Sequence, residues 1–285
     1  MRRFWWLLRR SLILAFEDNC FGIAKAGAYS ALLSLFPLLT ATATILVQIR
    51  AQPITRILSR ALSYALPPGT EGLVLNHFRM HGERPSGLIG AATLISIWAA
   101  SRVVTSLMEG FQAAYHIPVD RPFFRQQGIA ILLVFASSIP VVAASALILF
   151  GTRSEQAVLY WLGLVPAGAG LRAWVALAAS AARFGIALGT MVLVHAVLYK
   201  LGPNRPQRWR TLWPGAMVST VLWLASTLGF ASYVRNIANY NLLYGSLGAV
   251  IALLVWMYVL VAISLIGCEF NAEYERMLQA EAPES

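Results

Sequence analysis

The sequence predicts an all-α protein, a polytopic membrane helical bundle with six transmembrane helices and additional amphipathic interfacial helices. Of its 285 residues, 58% are hydrophobic and only 12% are charged, whereas charged residues make up about 25% of a soluble domain. Its mean hydropathy is +0.66. The whole stretch between Arg235 and Glu269 carries no charge. A chain of this composition would have too little polar surface to fold in water.

The last predicted span is the clearest of the six. Residues 247–267 form an almost unbroken apolar run of 21 residues. As a helix rising about 1.5 Å per residue, the run matches the roughly 30 Å hydrocarbon core of a bilayer. It is hydrophobic on every face, so none of its faces suits water. Glu269 and the polar residues after it end the run and predict a helical tail at one membrane face.

Five further charge-poor windows predict the remaining spans. They are residues 26–49, 87–108, 126–152, 174–199 and 211–234. Pro37 and Pro140 fall inside two of these windows and predict kinks, because proline removes a backbone donor. The chain therefore divides into an N-terminal interfacial helix at residues 1–25, a six-span domain at 26–276 and a polar C-terminal tail at 277–285.

Two segments predict helices that lie on the membrane. The first is the N-terminus, MRRFWWLLRRSLILAF, in which arginines are interleaved with bulky apolar residues. Its apolar run is short, is closed by Glu17 and Asp18 and lacks a small-residue cleavage pattern, which argues against a signal peptide. The second begins at Pro53 in the connection 50–85, where arginines fall off an apolar helical stripe.

The distribution of basic residues predicts the orientation. A net charge of +10 could indicate nucleic-acid binding, but in a membrane protein Lys and Arg usually mark cytoplasmic segments. Apart from the connection 50–85, most basic residues fall in the N-terminus and in the loops near residues 121–125 and 200–210. We therefore expect both termini in the cytoplasm, membrane lipids as partners and no nucleic-acid partner.

Two arginines fall inside predicted spans. Arg183 lies well inside the fourth window, where a charge costs about 2.5–3.5 kcal/mol even on a lenient insertion scale. It must therefore face a polar partner or water. Hydrogen bonds to carbonyls freed at Pro37 or Pro140 and an anion site in a water-filled cavity both remain open. Arg102 lies nearer the end of its window and can snorkel to the headgroups.

Five other residues complete the set of candidates for a substrate path. Ser30, Ser34 and Pro37 lie close together on the first span, either as a tolerated kink with serines bonded back to their helix or as the lining of a polar path. Glu269 and Asn271 open the polar tail of the last span. They are expected to cap or cross-brace helices, and a role in proton transfer is the alternative.

Neither a cofactor nor a metal site is predicted. His77 and His81 are four residues apart, but Glu83 is the only further ligand nearby. Cys20 and Cys268 are too few for a disulfide framework or a zinc site. The sequence shows neither a Ser, His and Asp grouping nor a nucleotide-binding P-loop. Any transport is therefore expected to be gradient-driven or facilitated, unless a partner supplies energy.

Four sequence strings carry a family resemblance. They are AYSALLSLFPLL, AYHIPVDRPFFRQ, LGPNRPQRWRTLWPGA and YGSLGAVIALLVWMY followed by GCEFNAEYER. In this order they resemble the YihY/BrkB family of bacterial inner-membrane proteins, whose members were once labelled ribonuclease BN. Metal-dependent RNA cleavage needs clustered ligands. Beyond the N-terminal segment the chain has a single aspartate, Asp120, and four histidines, and no three such ligands are close together in the sequence. The ribonuclease label finds no support in these residues.

The resemblance implies a multi-pass protein of the bacterial cytoplasmic (inner) membrane. The predicted function is a transporter or flippase-like protein for an anionic or amphipathic solute. The alternative is a non-transporting membrane organiser that binds lipids or other envelope proteins, and an enzyme ranks third. A water-lined cavity that reaches Arg183 would favour transport, and a dry, closely packed bundle would favour the organiser.

Overall fold

The structure, a computed structural model, describes residues 2–48, 86–118, 121–161, 173–236 and 246–281. Within these ranges every regular element is an α-helix. The helices are α1 (Arg2–Glu17), α2 (Cys20–Gln48), α3 (Ser86–Ala114), α4 (Phe123–Trp161), α5 (Ala173–Leu201), α6 (Trp209–Asn236) and α7 (Ser246–Glu281). The predicted amphipathic helix after Pro53 and the histidines at 77 and 81 lie outside the described residues.

The all-helical class and the membrane character are confirmed. In the described part of the chain, five helices are long and apolar enough to cross a membrane: α2, α4, α5, α6 and α7. The second predicted span, residues 87–108, lies within α3, which is not among these five. Six crossings therefore remain a prediction.

The break between α1 and α2 depends on Asn19. This residue has a positive φ of 54°, a conformation that asparagine tolerates better than most residues. As a result, α2 begins at Cys20, before the predicted start at residue 26. Lys25 therefore lies inside a helix and does not mark its end.

The six long helices form a closed cycle of neighbours. α2 packs on α3, α3 on α4, α4 on α5, α5 on α6, α6 on α7, and α7 on α2. α7 also contacts α3 across the cycle, and α1 lies against α7. Because successive helices alternate in direction, the α1–α2, α3–α4 and α5–α6 connections and the last turns of α7 share one end of the bundle, which we call the packed end.

Most of the buried core lies at the packed end. Its large, fully buried side chains include Met108, Phe111, Leu133, Tyr199 and Leu265. Toward the opposite end, the side chains of α4 and α5 are largely exposed, as expected for helices that face lipid. The helix interface is therefore tightest where the polar residues described below also cluster.

Helix α1 is docked on the bundle along one face. Leu7, Ser11 and Ala15, spaced four residues apart, are buried. The ring of Phe4 lies 5.7 Å from that of Phe270. Trp5 and Phe16 point away and are exposed. This arrangement fits an amphipathic helix at the membrane surface, a placement that stays a prediction.

Candidate functional site

The packed end has a polar interior within an otherwise apolar bundle. Buried polar side chains come from three helices that meet there: Gln112 on α3, Ser219 on α6, and Glu269, Asn271 and Glu273 on α7. Such groups are costly inside a membrane protein and need partners or water. We therefore take this cluster as the candidate site and describe its contacts in turn.

Two glycines allow α6 and α7 to approach closely. A Cβ on Gly215 would lie 2.1 Å from the carbonyl oxygen of Gly267. A Cβ on Gly267 would lie 1.7 Å from Oγ of Ser219. Neither position has room for a side chain, which is the small-residue packing that brings membrane helices together.

A hydroxyl network joins three helices beside this contact. The phenol of Tyr199 on α5 is fully buried and donates to the carbonyl of Ser264 on α7 across 2.8 Å. It also lies 2.6 Å from Oγ of Ser219. Oγ of Ser219 in turn is 3.2 Å from the carbonyl of Ile263, and because each hydroxyl has one proton, two of these three contacts carry a hydrogen bond at a time. Every oxygen in this network therefore has a partner.

Asn271 joins α7 to the first turns of α6. Its Oδ1 accepts the backbone N–H of Gly215 at 2.7 Å. Its Nδ2 donates to the carbonyl of Leu212 at 3.0 Å. The side chain is fully buried, so both hydrogen bonds are shielded from water. This residue braces two helices.

Glu269 faces groups from the α1–α2 turn. The thiol of Cys20 donates to its Oε1 across 3.5 Å, and the carboxyl group of Asp18 lies close enough to interact with it electrostatically. Two neighbouring carboxylates repel each other when both are ionised. Oε2 of Glu269 and Oδ2 of Asp18 are both buried and make no hydrogen bond among the described residues.

Glu273, one turn further along α7, holds two arginines. Nε of Arg10 lies 2.6 Å from its Oε2, and Nη1 of Arg276 lies 2.5 Å from its Oε1. Nη2 of Arg276 also donates to the carbonyl of Ala114 at the end of α3. The carboxylate therefore links α1, α3 and α7.

A basic groove lies beside this cluster at the packed end. It is formed by Arg121, by Ile129 and Leu132 of α4, and by Lys200 and Arg205 at the α5–α6 connection. Nη2 of Arg205 pairs with Oε1 of Glu275 at 2.5 Å. Its guanidinium also stacks 4.7 Å from the ring centroid of Tyr115.

The predicted path residues do not come together as one set. Glu269 and Asn271 lie in the buried cluster. Arg183 lies in the middle of α5, half-buried, with its guanidinium carbon 5.7 Å from the ring centroid of Phe184. The side chain of Arg102 is exposed on α3.

The first-span candidates lie on α2. Oγ of Ser34 donates to the carbonyl of Ala31 at 2.8 Å, so this serine bonds back to its own helix. Ser30 and Pro37 are both half-buried. Helix α2 continues through Pro37 as far as Gln48.

Sequence reasoning missed the residues that tie the packed end together. Tyr199, Ser219, Arg10 and Glu273 gave no sequence signal, because their partners are distant in the chain. Gly215 and Gly267 could have been noticed as small residues inside apolar windows. In the described part of the chain, no three residues among His, Cys, Asp and Glu are grouped so that they could hold a metal ion.

The apolar helices and the polar packed end define an integral membrane protein. The chain belongs to the virulence factor BrkB family, whose model matches residues 15–285. This confirms the resemblance on which the family prediction was based.

Curated relatives cover most of the chain at modest identity. A Bacillus subtilis (strain 168) protein named as ribonuclease-like, YfkH, is 28% identical over 86% of this chain and 86% of its own length. A UPF0761 membrane protein of Alteromonas mediterranea is 27% identical over 90% of this chain and 83% of its own length. The UPF0761 membrane protein of Chromobacterium violaceum is 26% identical over 88% of this chain, which spans 57% of that longer protein. No solved structure matches the chain.

Proposed function

We propose that this protein is a six-span transporter or flippase-like protein of the bacterial inner membrane that moves an anionic or amphipathic solute. In this proposal the packed end is a closed gate on the cytoplasmic side. Helix α3 supplies the sixth crossing, and both termini lie in the cytoplasm. The basic residues at the packed end, among them Lys25, Arg125, Lys200 and Arg208, support this orientation.

One observation carries the proposal: several buried polar atoms at the packed end make no hydrogen bond within the described part of the chain. They include both side-chain amide atoms of Gln112, both of Gln207, and the hydroxyl of Tyr115. A buried polar group without a partner costs about 1–3 kcal/mol. A permanent structural plug would have apolar residues at these positions.

A gate would explain these polar atoms, because they could hydrogen-bond to water or solute when the packed end opens. The network of Tyr199, Ser219 and Asn271 differs in this respect, since its hydrogen bonds are complete. The α6–α7 pair would therefore stay fixed, while α3 and the α5–α6 connection would move relative to it.

Arg183 supplies a second, weaker support. A guanidinium half-way along a membrane helix attracts anions wherever water reaches it. Because the sequence has no P-loop, movement of solute in this proposal is gradient-driven or facilitated, unless a partner supplies energy. The relative named as ribonuclease-like does not lead us to propose an enzymatic activity, since metal-dependent RNA cleavage would need clustered ligands.

The test is transport by purified protein in vesicles. The probes are a fluorescent phosphatidylglycerol, scored by its movement between leaflets, and labelled solutes that accumulate in or vanish from a deletion strain. We expect Gln112→Leu to raise the thermal midpoint of the protein and to slow transport, because it stabilises the closed gate. The proposed gate would be contradicted if the protein transported neither probe. It would also be contradicted if Gln112→Leu raised the thermal midpoint but left the transport rate unchanged.

The tight α6–α7 contact at Gly215 and Gly267 favours a second candidate, a membrane organiser. A rigid helix pair of this kind suits a scaffold that binds lipids or envelope proteins. Co-purification of a defined envelope protein, together with vesicles that transport neither probe, would favour this alternative.

A further inference from the structure

The basic groove encloses a volume of about 340 Å³ at the packed end. This volume lies near the lower limit of small-molecule sites, about 300–1,000 Å³. Its two walls differ in chemistry: one carries three cationic side chains, and the other is the apolar surface of α4 at Ile129 and Leu132. A ligand that matches both walls has an anionic head and an apolar part.

Among the residues that the structure describes, the cationic wall carries more positive than negative charge. Arg205 is balanced by Glu275. Arg121 instead donates to oxygens at the end of α5, among them the carbonyls of Gly202 and Pro203, and Lys200 donates to the carbonyl of Gln207. Neither Arg121 nor Lys200 pairs with a carboxylate of the described residues.

The local environment of Arg121 reflects this imbalance. Burial and the positive charge of Arg125 lower the pKa of its guanidinium, which nevertheless stays protonated at neutral pH. A positive charge that is partly desolvated and lies beside another attracts an anion strongly. Lys200 retains N–H groups that can reach such an anion, because an ammonium has three donors.

The apolar wall leads from the groove toward the lipid. Leu132 is 56% exposed. Nearby segments at the packed end carry the exposed aromatic residues Phe123, Phe124 and Trp209. Exposed aromatic rings of this kind are typical of the membrane–water interface. These exposed rings therefore suit a groove at the depth of lipid headgroups.

We propose that the basic groove binds the phosphate headgroup of an anionic phospholipid, with its acyl chains lying along Ile129 and Leu132. The phosphate would contact Lys200 and lie in the field of Arg121. A free phosphate ion would use the same cations but would leave the apolar wall unused. The site does not require transport, so binding and solute movement can fail separately.

The test is equilibrium lipid binding to the purified full chain, measured by native mass spectrometry. We expect phosphatidylglycerol to bind about tenfold more tightly than zwitterionic phosphatidylcholine, because the positive charge of choline would be repelled by the cations of the groove. Lys200→Gln should remove most of this preference. The matched control is Arg210→Gln, which deletes an equal charge on an exposed side chain outside the groove and should change binding less than about twofold.

A second variant tests whether binding depends on the shape of the groove and not only on its positive charge. It also keeps the proposal testable if the Lys200→Gln protein misfolds. Leu132→Trp adds bulk to the apolar wall and leaves every cation in place. It should weaken phosphatidylglycerol binding about tenfold, as expected when an acyl chain loses its packing surface. The thermal midpoint of the variant without lipid should match that of the wild type.

Three results would overturn the proposal. In the first, phosphatidylcholine binds as tightly as phosphatidylglycerol. In the second, Arg210→Gln weakens binding as much as Lys200→Gln. In the third, Leu132→Trp binds phosphatidylglycerol normally while millimolar inorganic phosphate displaces the lipid, which would make the groove a site for the free ion.

Discussion

The amide oxygen of Asn271 accepts the backbone N–H of Gly215 across 2.7 Å, between two helices whose backbones almost touch. Close packing and a complete buried hydrogen bond occur at the same point, so each protects the other from competition by water or lipid. We therefore expect α6 and α7 to stay together when other contacts at the packed end are broken.

Removal of the Asn271 brace should destabilise the protein. Asn271→Ala deletes both hydrogen bonds and leaves the N–H of Gly215 and the carbonyl of Leu212 buried beside a cavity, a loss of about 2–4 kcal/mol. The measurement is thermal unfolding in detergent. The matched control is Gln279→Ala, on the same helix but exposed, which should leave the midpoint nearly unchanged. Equal midpoints for the two variants would show that the brace contributes nothing.

A methyl group at Gly267 should separate α6 from α7. Gly267→Ala places its Cβ against Oγ of Ser219 and should cost about 1–3 kcal/mol or more. Ser219→Ala removes that oxygen, so the double variant should recover part of the loss. The control is Gly189→Ala, where a Cβ would meet nothing within 4 Å. A double variant no more stable than Gly267→Ala would show that the clash lies elsewhere.

Loss of the Glu273 carboxylate should loosen α1. Glu273→Gln weakens the contacts to Arg10 and Arg276, and because both arginines are partly exposed we expect about 1–3 kcal/mol. Hydrogen exchange of α1 should accelerate before that of α6. Glu281→Gln is the control, since its pair with Arg3 is exposed on both sides and contributes about 0–1 kcal/mol. Unchanged hydrogen exchange in α1 would show that the contacts of Glu273 with Arg10 and Arg276 do not hold α1 in place.

Glu269→Gln should leave the packed end at least as stable as in the wild type. Glutamine removes one of two neighbouring negative charges, and its amide can donate to the buried oxygen of Asp18 and still accept from Cys20. We expect a thermal midpoint equal to or a few degrees above that of the wild type. Glu269→Ala lacks both contacts and should be less stable by about 1–3 kcal/mol. A drop of equal size in both variants would show that the negative charge itself is needed.

The sequence predicts where most of the helices lie along the chain, but it does not predict which helices contact one another. Charge-poor windows located α5 and α6 within a few residues, because a helix in lipid carries few charges over the length of the hydrocarbon core. The charge at Lys25 predicts that α2 starts at residue 26, whereas the helix begins at Cys20 because the chain breaks at Asn19, where the backbone is left-handed.

The candidate site was predicted only in part. Glu269 and Asn271 were selected from the polar tail, and both lie in the buried cluster. Their partners Cys20 and Gly215 could not be assigned, because the pairing depends on which helices are neighbours around the bundle and local spacing carries no such information. The structure brings neither Arg183 nor Arg102 to this cluster, so a role for them stays a prediction.

The clasp between Arg10 and Glu273 joins the first helix of the chain to the last. During synthesis α1 leaves the ribosome before α7 is made, so its buried face has no α7 to pack against until α7 has been translated. Ribosome-bound chains that stop short of Glu273 should therefore keep α1 open to proteases. Maturation of this protein would then be signalled by protection of its N-terminus.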